Sequence, residues 1–108
     1  MVKRPDPLPT HLSPHTRRWA ASVLVEYELS PTQIELLVMA AEARDASEKA
    51  RAVVAKDGAV FLDRFKQPKE NPHAKLQRDF SAICSRLLRE IGLAHDDSDD
   101  LRPPRIGD

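Results

Sequence analysis

The stretch Leu29-Ser30-Pro31-Thr32-Gln33-Ile34 decides how this chain is built. Serine followed by proline marks a helix start: the hydroxyl accepts from an otherwise unpaired N–H of the first turn, where proline's missing donor costs nothing. Gln33 is placed to return a hydrogen bond to the Ser30 N–H, and Leu29 and Ile34 hold the two positions of a hydrophobic staple. A tight turn between two helices is expected here. The second helix then continues at helical spacing to Asp57, with Gly58 read as a left-handed C-terminal cap. Such a helix is about 40 Å long.

That length bears on assembly. Leu36, Ala40, Ala43, Ala50 and Val54 form one stripe of mainly small residues, and Ile34, Leu37 and Ala41 form a second. Small side chains let helices approach closely on two sides of the rod. Three helices cover so long a rod poorly, so the first stripe is read as a contact between subunits. Packing of both stripes inside one monomer is the alternative.

Upstream, Ser13-Pro14 repeats the start signal, and Trp19, Val23 and Tyr27, with Ala20 and Leu24 beside them, carry a helix to about Glu28. Residues 1–12, with Pro5, Pro7 and Pro9, are expected to form an extended, poorly packed arm. Downstream, Ala59 to Leu62 is a β-prone run, Asp63-Arg64 a turn and Phe65 to Lys69 a returning strand, with Pro68 on its edge. A lone hairpin is marginal in water, so this one needs a helix or a neighbouring subunit to lean on. Asn71-Pro72 opens a third helix. Leu76, Phe80, Ile83, Leu87 and Ile91 give it an apolar face, and Gly92 closes it. The fold class is therefore mainly α: three helices, the long central one in an antiparallel helical hairpin, plus a short two-stranded β-hairpin, assembling as an oligomer. Residues 13–92 form the single domain, and 93–108 an acidic and Pro-rich tail.

The 108 residues hold 17 Lys or Arg and 17 Asp or Glu, so the formal net charge is zero. Uniformly basic or acidic protein classes are excluded. The charge is nevertheless segregated. Residues 64–89 carry Arg64, Lys66, Lys69, Lys75, Arg78, Arg86 and Arg89 against Glu70 and Asp79, a balance of +5. Glu90 with Asp96, Asp97, Asp99 and Asp100 then gives −5. A basic hairpin leading into a helix with Lys75 and Arg78 on one side is suited to tracking a phosphate backbone, and an ordinary solvated helix face is the plain alternative. Arg64, Lys66, Lys69, Lys75 and Arg78, with Arg17 and Arg18 near the N-terminus, are the candidate DNA-binding residues.

Catalytic chemistry finds no support. Cys84 is the only cysteine and lies near an apolar helix face, which makes it a core residue in a reducing compartment. His11 and His15 straddle a helix start and share no face, so no metal site is read, and the three glycines form no phosphate-cradling loop. No cofactor is expected. The longest apolar run, Leu36 to Ala41, is too short to span a membrane, and a cytoplasmic protein follows.

The order of these features resembles the phage terminase small subunit family, in its branch of short, mostly helical members. The matching elements begin with Leu12-Ser13, Arg18-Trp19, Glu26-Tyr27-Glu28-Leu29, Leu36-Leu37, Ala40-Ala41-Glu42-Ala43, Asp45 and Asp57-Gly58. They continue with Asp63-Arg64-Phe65, Lys69, Asn71-Pro72, Arg78-Asp79, Leu87-Leu88-Arg89-Glu90, Gly92-Leu93 and Arg102-Pro103-Pro104-Arg105. The family usually has glycine after the Arg–aromatic pair, where this chain has Lys66. The resemblance implies a non-enzymatic DNA-packaging factor of the bacterial host cytoplasm. Such a subunit forms a homo-oligomeric ring, binds double-stranded viral DNA at the packaging start and brings in the terminase large subunit, which holds the ATPase and nuclease. No separate N-terminal helix-turn-helix domain is visible, so DNA contact falls to the basic segments. The competing reading is a helical protein-interaction adaptor without direct DNA binding.

Overall fold

The computed structural model describes residues 7–93 and Ile106. Helix α1 runs Pro14–Glu26, α2 Pro31–Asp57 and α3 Pro72–Ile91, with strands β1 (Val60–Leu62) and β2 (Pro68–Glu70) between α2 and α3. All three helix starts stand where serine or asparagine precedes proline. The Ser30 capping box closes in both directions: Gln33 N–H donates to Ser30 Oγ at 3.2 Å, and Ser30 N–H to Gln33 Oε1 at 2.8 Å. Helix α1 ends two residues earlier than its spacing predicts. Tyr27 is already extended, which lets residues 27–29 reverse the chain and bring Leu29 into one cavity wall with Leu24 and Ile34.

Helix α2 is the axis of the molecule. Helix α3 returns antiparallel along it: Gln33 Nε2 donates to the Ile91 carbonyl at one end, and Ser47 Oγ to the Gln77 carbonyl further along. Leu37, Ala40, Ala43, Ala50, Leu87 and Ile91 are buried. Another side of α2, at Val38 and Ala41, packs against Trp19, Ala20 and Leu24 of α1. Leu8 and Leu12 join that cluster. The expected poorly packed arm is thus corrected from Leu8 onward, because two leucines interleaved with the prolines supply enough apolar surface to anchor it. Residues 1–6, and the acidic and Pro-rich runs within 94–105, lie outside the described residues. Ile106 donates its N–H to the Glu26 carbonyl at 2.8 Å, at the end of α1.

Two local expectations change. Gly58 has φ 88° but ψ 155°, an extended arrangement that only glycine holds comfortably, rather than a left-handed cap. It passes the chain straight into β1, where Asn71 fastens it by donating Nδ2–H to the Gly58 carbonyl and N–H to the Ala59 carbonyl. The left-handed cap is found at Gly92 instead. The returning strand is shorter than expected and starts at Pro68, pairing Leu62 with Pro68, Phe61 with Lys69 and Val60 with Glu70. The reason is Asp63: its Oδ1 accepts from the N–H groups of Phe65 and Gln67, so residues 64–67 wrap the carboxylate, and only the Gln67 carbonyl still reaches across, accepting from the Asp63 N–H at 3.0 Å. This winding puts Lys66 at φ 61°.

Candidate nucleic-acid interface

The hairpin and α3 bring most of the predicted basic residues onto adjoining elements. Arg64 and Lys66 stand in the hairpin loop, Lys69 on β2, and Lys75 and Arg78 on α3. Two of the five are held by carboxylates. Lys69 Nζ lies 3.7 Å from Asp63, and Arg78 reaches Glu70 at 2.5 Å, a contact that ties the hairpin to α3. The Arg64 guanidinium lies over the Phe65 ring at 5.0 Å. Among the described residues Lys66 and Lys75 have no ion-pair partner.

Helix geometry extends the patch beyond the predicted set. At about 100° per residue, Lys75, Arg78, Arg86 and Arg89 fall within an arc of about 80°, and all four are exposed. From Lys75 to Arg89 the stripe is about 21 Å long, the span of about six phosphates along one strand. Arg86 and Arg89 enter the sequence reading only as charge. Their spacing of three, and of eight from Arg78, is the signal that places them here. Ile83 and Leu87, which face the α2 side, lie well round the helix from this arc.

Arg17 and Arg18 do not join this patch through a common element. Arg17 Nη1 donates to the carbonyls of Leu8 and Pro9 at 3.3 and 2.7 Å, so it holds the arm in place. Arg18 is exposed on α1. Of the residues read as a subunit contact, Ala40, Ala43 and Ala50 are buried within the single chain, while Leu36 and Val54 are half-buried.

Two titratable groups serve the architecture. Burial opposes ionisation of Asp45, but hydrogen bonds from Thr16 and Ser13, with the nearby Lys49 charge, prevail and lower its pKa. Burial pushes the Cys84 thiol up against the opposing charge of Arg44, so little of it is thiolate. Arg44 itself lies over the Trp19 ring at 4.7 Å and tethers α1 to α2. No helix among the described residues is long and apolar enough to cross a membrane.

No curated protein and no solved structure matches the chain. The family described as phage terminase, small subunit, matches residues 17–105, a span that takes in α1 from its fourth residue, the α2–α3 hairpin, the β-hairpin and the basic stripe. By that match over most of its length, the chain belongs to the phage terminase small-subunit family.

Proposed function

We propose that this chain is a non-catalytic terminase small subunit that assembles with itself into a ring and binds double-stranded viral DNA at the packaging start. There it recruits or regulates the large ATPase/nuclease subunit in the cytoplasm of the bacterial host. The observation that carries the DNA-binding part is the exposed stripe Lys75, Arg78, Arg86 and Arg89 on a single face of α3. Arg64, Lys66 and Lys69 continue it onto the hairpin, and Arg18 with Arg17 supplies a second, smaller basic site on α1. A rigid helix presenting cations along about 21 Å suits a backbone contact that fixes position on the duplex without reading bases. Repeating the stripe around a ring multiplies the contact by avidity.

The test is binding to double-stranded DNA across a salt series, with subunit stoichiometry measured by native mass spectrometry on the same preparation. Four phosphate contacts per subunit give a log–log salt slope of about −3.6, and an assembly makes it steeper. Undetectable binding at low salt overturns the DNA part in favour of an adaptor. A monomer across micromolar concentrations overturns the ring.

A further inference from the structure

The β-hairpin is left without cover by the other described residues. Val60, Phe61, Leu62 and Phe65 are 43–69% exposed, although Phe61 points to the opposite face of the strand from Val60 and Leu62. Neither face of β1 is therefore packed. Three-residue strands with both faces open are marginal by themselves, and four large apolar side chains clustered on so small an element mark a contact surface.

A complementary surface exists elsewhere on the same molecule. Met39, Ala43, Phe80, Ile83 and Leu87 line an open notch of about 330 Å³ between α2 and α3, with Glu42 at its edge. Met39 itself is exposed. Glu35 and Glu42, four before and three after Met39, share its side of α2 and are exposed as well, Glu42 with its Oε2 3.1 Å from His11 Nε2. The notch is apolar with an acidic rim; the hairpin tip is apolar with Arg64 and Lys66 beside it. Nucleic acid is a poor occupant, since the rim repels phosphates. The chain's own hairpin cannot fill the notch either: it leaves α2 at Asp57, fourteen residues and about 21 Å beyond Ala43. The occupant that matches in both shape and charge is the hairpin of a second copy.

We propose that the apolar hairpin tip of one copy, Phe61, Leu62 and Phe65, seats in the α2–α3 notch at Met39 of the next copy. Two different surfaces meet in such a head-to-tail contact, and repetition closes a ring when the rotation between neighbours permits. The basic stripe of α3 lies well round the helix from Ile83 and Leu87 and stays open, so in the assembly α3 and Lys69 carry the DNA contact while Arg64 and Lys66 meet the acidic rim of the next copy. The inference rests on the self-assembly reading above and assigns it a surface.

The experiment compares by native mass spectrometry the full chain, the double variant Phe61→Glu/Phe65→Glu and the variant Met39→Glu. All three substituted side chains are exposed, and far-UV circular dichroism verifies that the helices remain. Should the double variant lose them, Phe65→Ser in the exposed loop takes its place. The expected result is a multimer for the unsubstituted chain and a monomer for each variant alone. An equimolar mixture of the two variants gives a one-to-one dimer and nothing larger, because the pair retains a single intact hairpin-to-notch contact. A variant that keeps the original stoichiometry, or a mixture that stays monomeric, overturns this inference while leaving self-assembly standing. A monomeric unsubstituted chain removes the self-assembly reading, and this contact with it.

Discussion

Ser13 donates twice to Asp45: its backbone N–H reaches Oδ2 and its hydroxyl reaches Oδ1, both at 2.7 Å. Thr16 Oγ1 adds a third bond to Oδ1 at 2.5 Å. The same Ser13 hydroxyl accepts from the Thr16 N–H as the cap of α1. One buried carboxylate on α2 therefore holds the first turn of α1 in place. Replacing Asp45 by Ala strands the Ser13 and Thr16 donors, and hydrogen bonds to a charged group are each worth about 1.5–3 kcal/mol. We expect Asp45→Ala to cost about 3 kcal/mol in urea denaturation, with α1 amides losing hydrogen-exchange protection before those of α3.

The same carboxylate makes stability depend on acid. Its pKa in the folded chain lies below the ordinary 3.8, so the folded state binds its proton less readily than the unfolded state. The stabilisation from its charged form is complete above that ordinary value and drains away as the pH falls through the lower, folded one. The stability gap between the native sequence and Asp45→Asn should be constant from pH 7 to 5 and shrink below 3.8. A gap of equal size at pH 7 and pH 2.5 contradicts the linkage.

Lys66 has φ 61°, in the left-handed region that costs a residue bearing a Cβ about 1–2 kcal/mol. It follows the Arg64–Phe65 pair, the position at which the family resemblance leads to the expectation of glycine. Glycine there relieves the backbone but loosens the unfolded chain. We expect Lys66→Gly to raise stability by about 0.5 kcal/mol and Lys66→Val, whose branched Cβ fits φ > 0 worst, to lower it by more than 1 kcal/mol. Lys66→Gly should also weaken self-assembly, because it removes a cation that faces the acidic rim of the next copy, so the two readouts move in opposite directions.

Ser30 with Gln33, and Asn71 with Pro72, act within four residues, and such local chemistry fixed both starts and the antiparallel pair of long helices. Proline spacing speaks for extension, not for where Leu8 and Leu12 end up; their burial depends on Trp19 and Ala20 of the next helix and on Ala41, which arrives from a distant part of the chain. The hairpin was legible as two strands, but its register depended on the Asp63 side chain taking over the N–H groups of its own loop. In the candidate interface, Lys75 and Arg78 share a helix face by spacing alone. The Arg78–Glu70 contact needs the hairpin folded against α3, and periodicity carries nothing about that.

Ala40 and Ala43 belong to one stripe but meet different surroundings. Ala40 is fully buried along the α2–α3 axis, whereas Ala43 borders the open notch beside Met39. Extra methylenes in a filled site force neighbours apart at about 1–3 kcal/mol. Ala40→Leu is therefore expected to lose that much in chemical denaturation. Ala43→Leu, whose side chain can extend into the notch once no neighbouring hairpin occupies it, is expected to lose less than 1 kcal/mol when both changes are made in the Phe61→Glu/Phe65→Glu background. Equal losses at the two positions in that background would mean the single chain closes the notch by itself.

The basic stripe makes the sharpest distinction among the charged residues. Lys75, Arg86 and Arg89 have no carboxylate partner among the described residues, while Arg78 is paired with Glu70 and Lys69 with Asp63. A cation already neutralised by a neighbour releases fewer counterions from DNA than a free one. Each of Lys75→Ala, Arg86→Ala and Arg89→Ala should flatten the log–log salt slope by about 0.9 per subunit, without changing stability. Lys69→Ala should change the slope less. Arg78→Ala should change it less too, and should also lower hairpin protection in hydrogen exchange, since it removes the tie to Glu70. Equal slope changes at all five positions would show that the Glu70 and Asp63 pairs open when DNA binds. No change at Lys75, Arg86 and Arg89 would move the interface off α3 altogether.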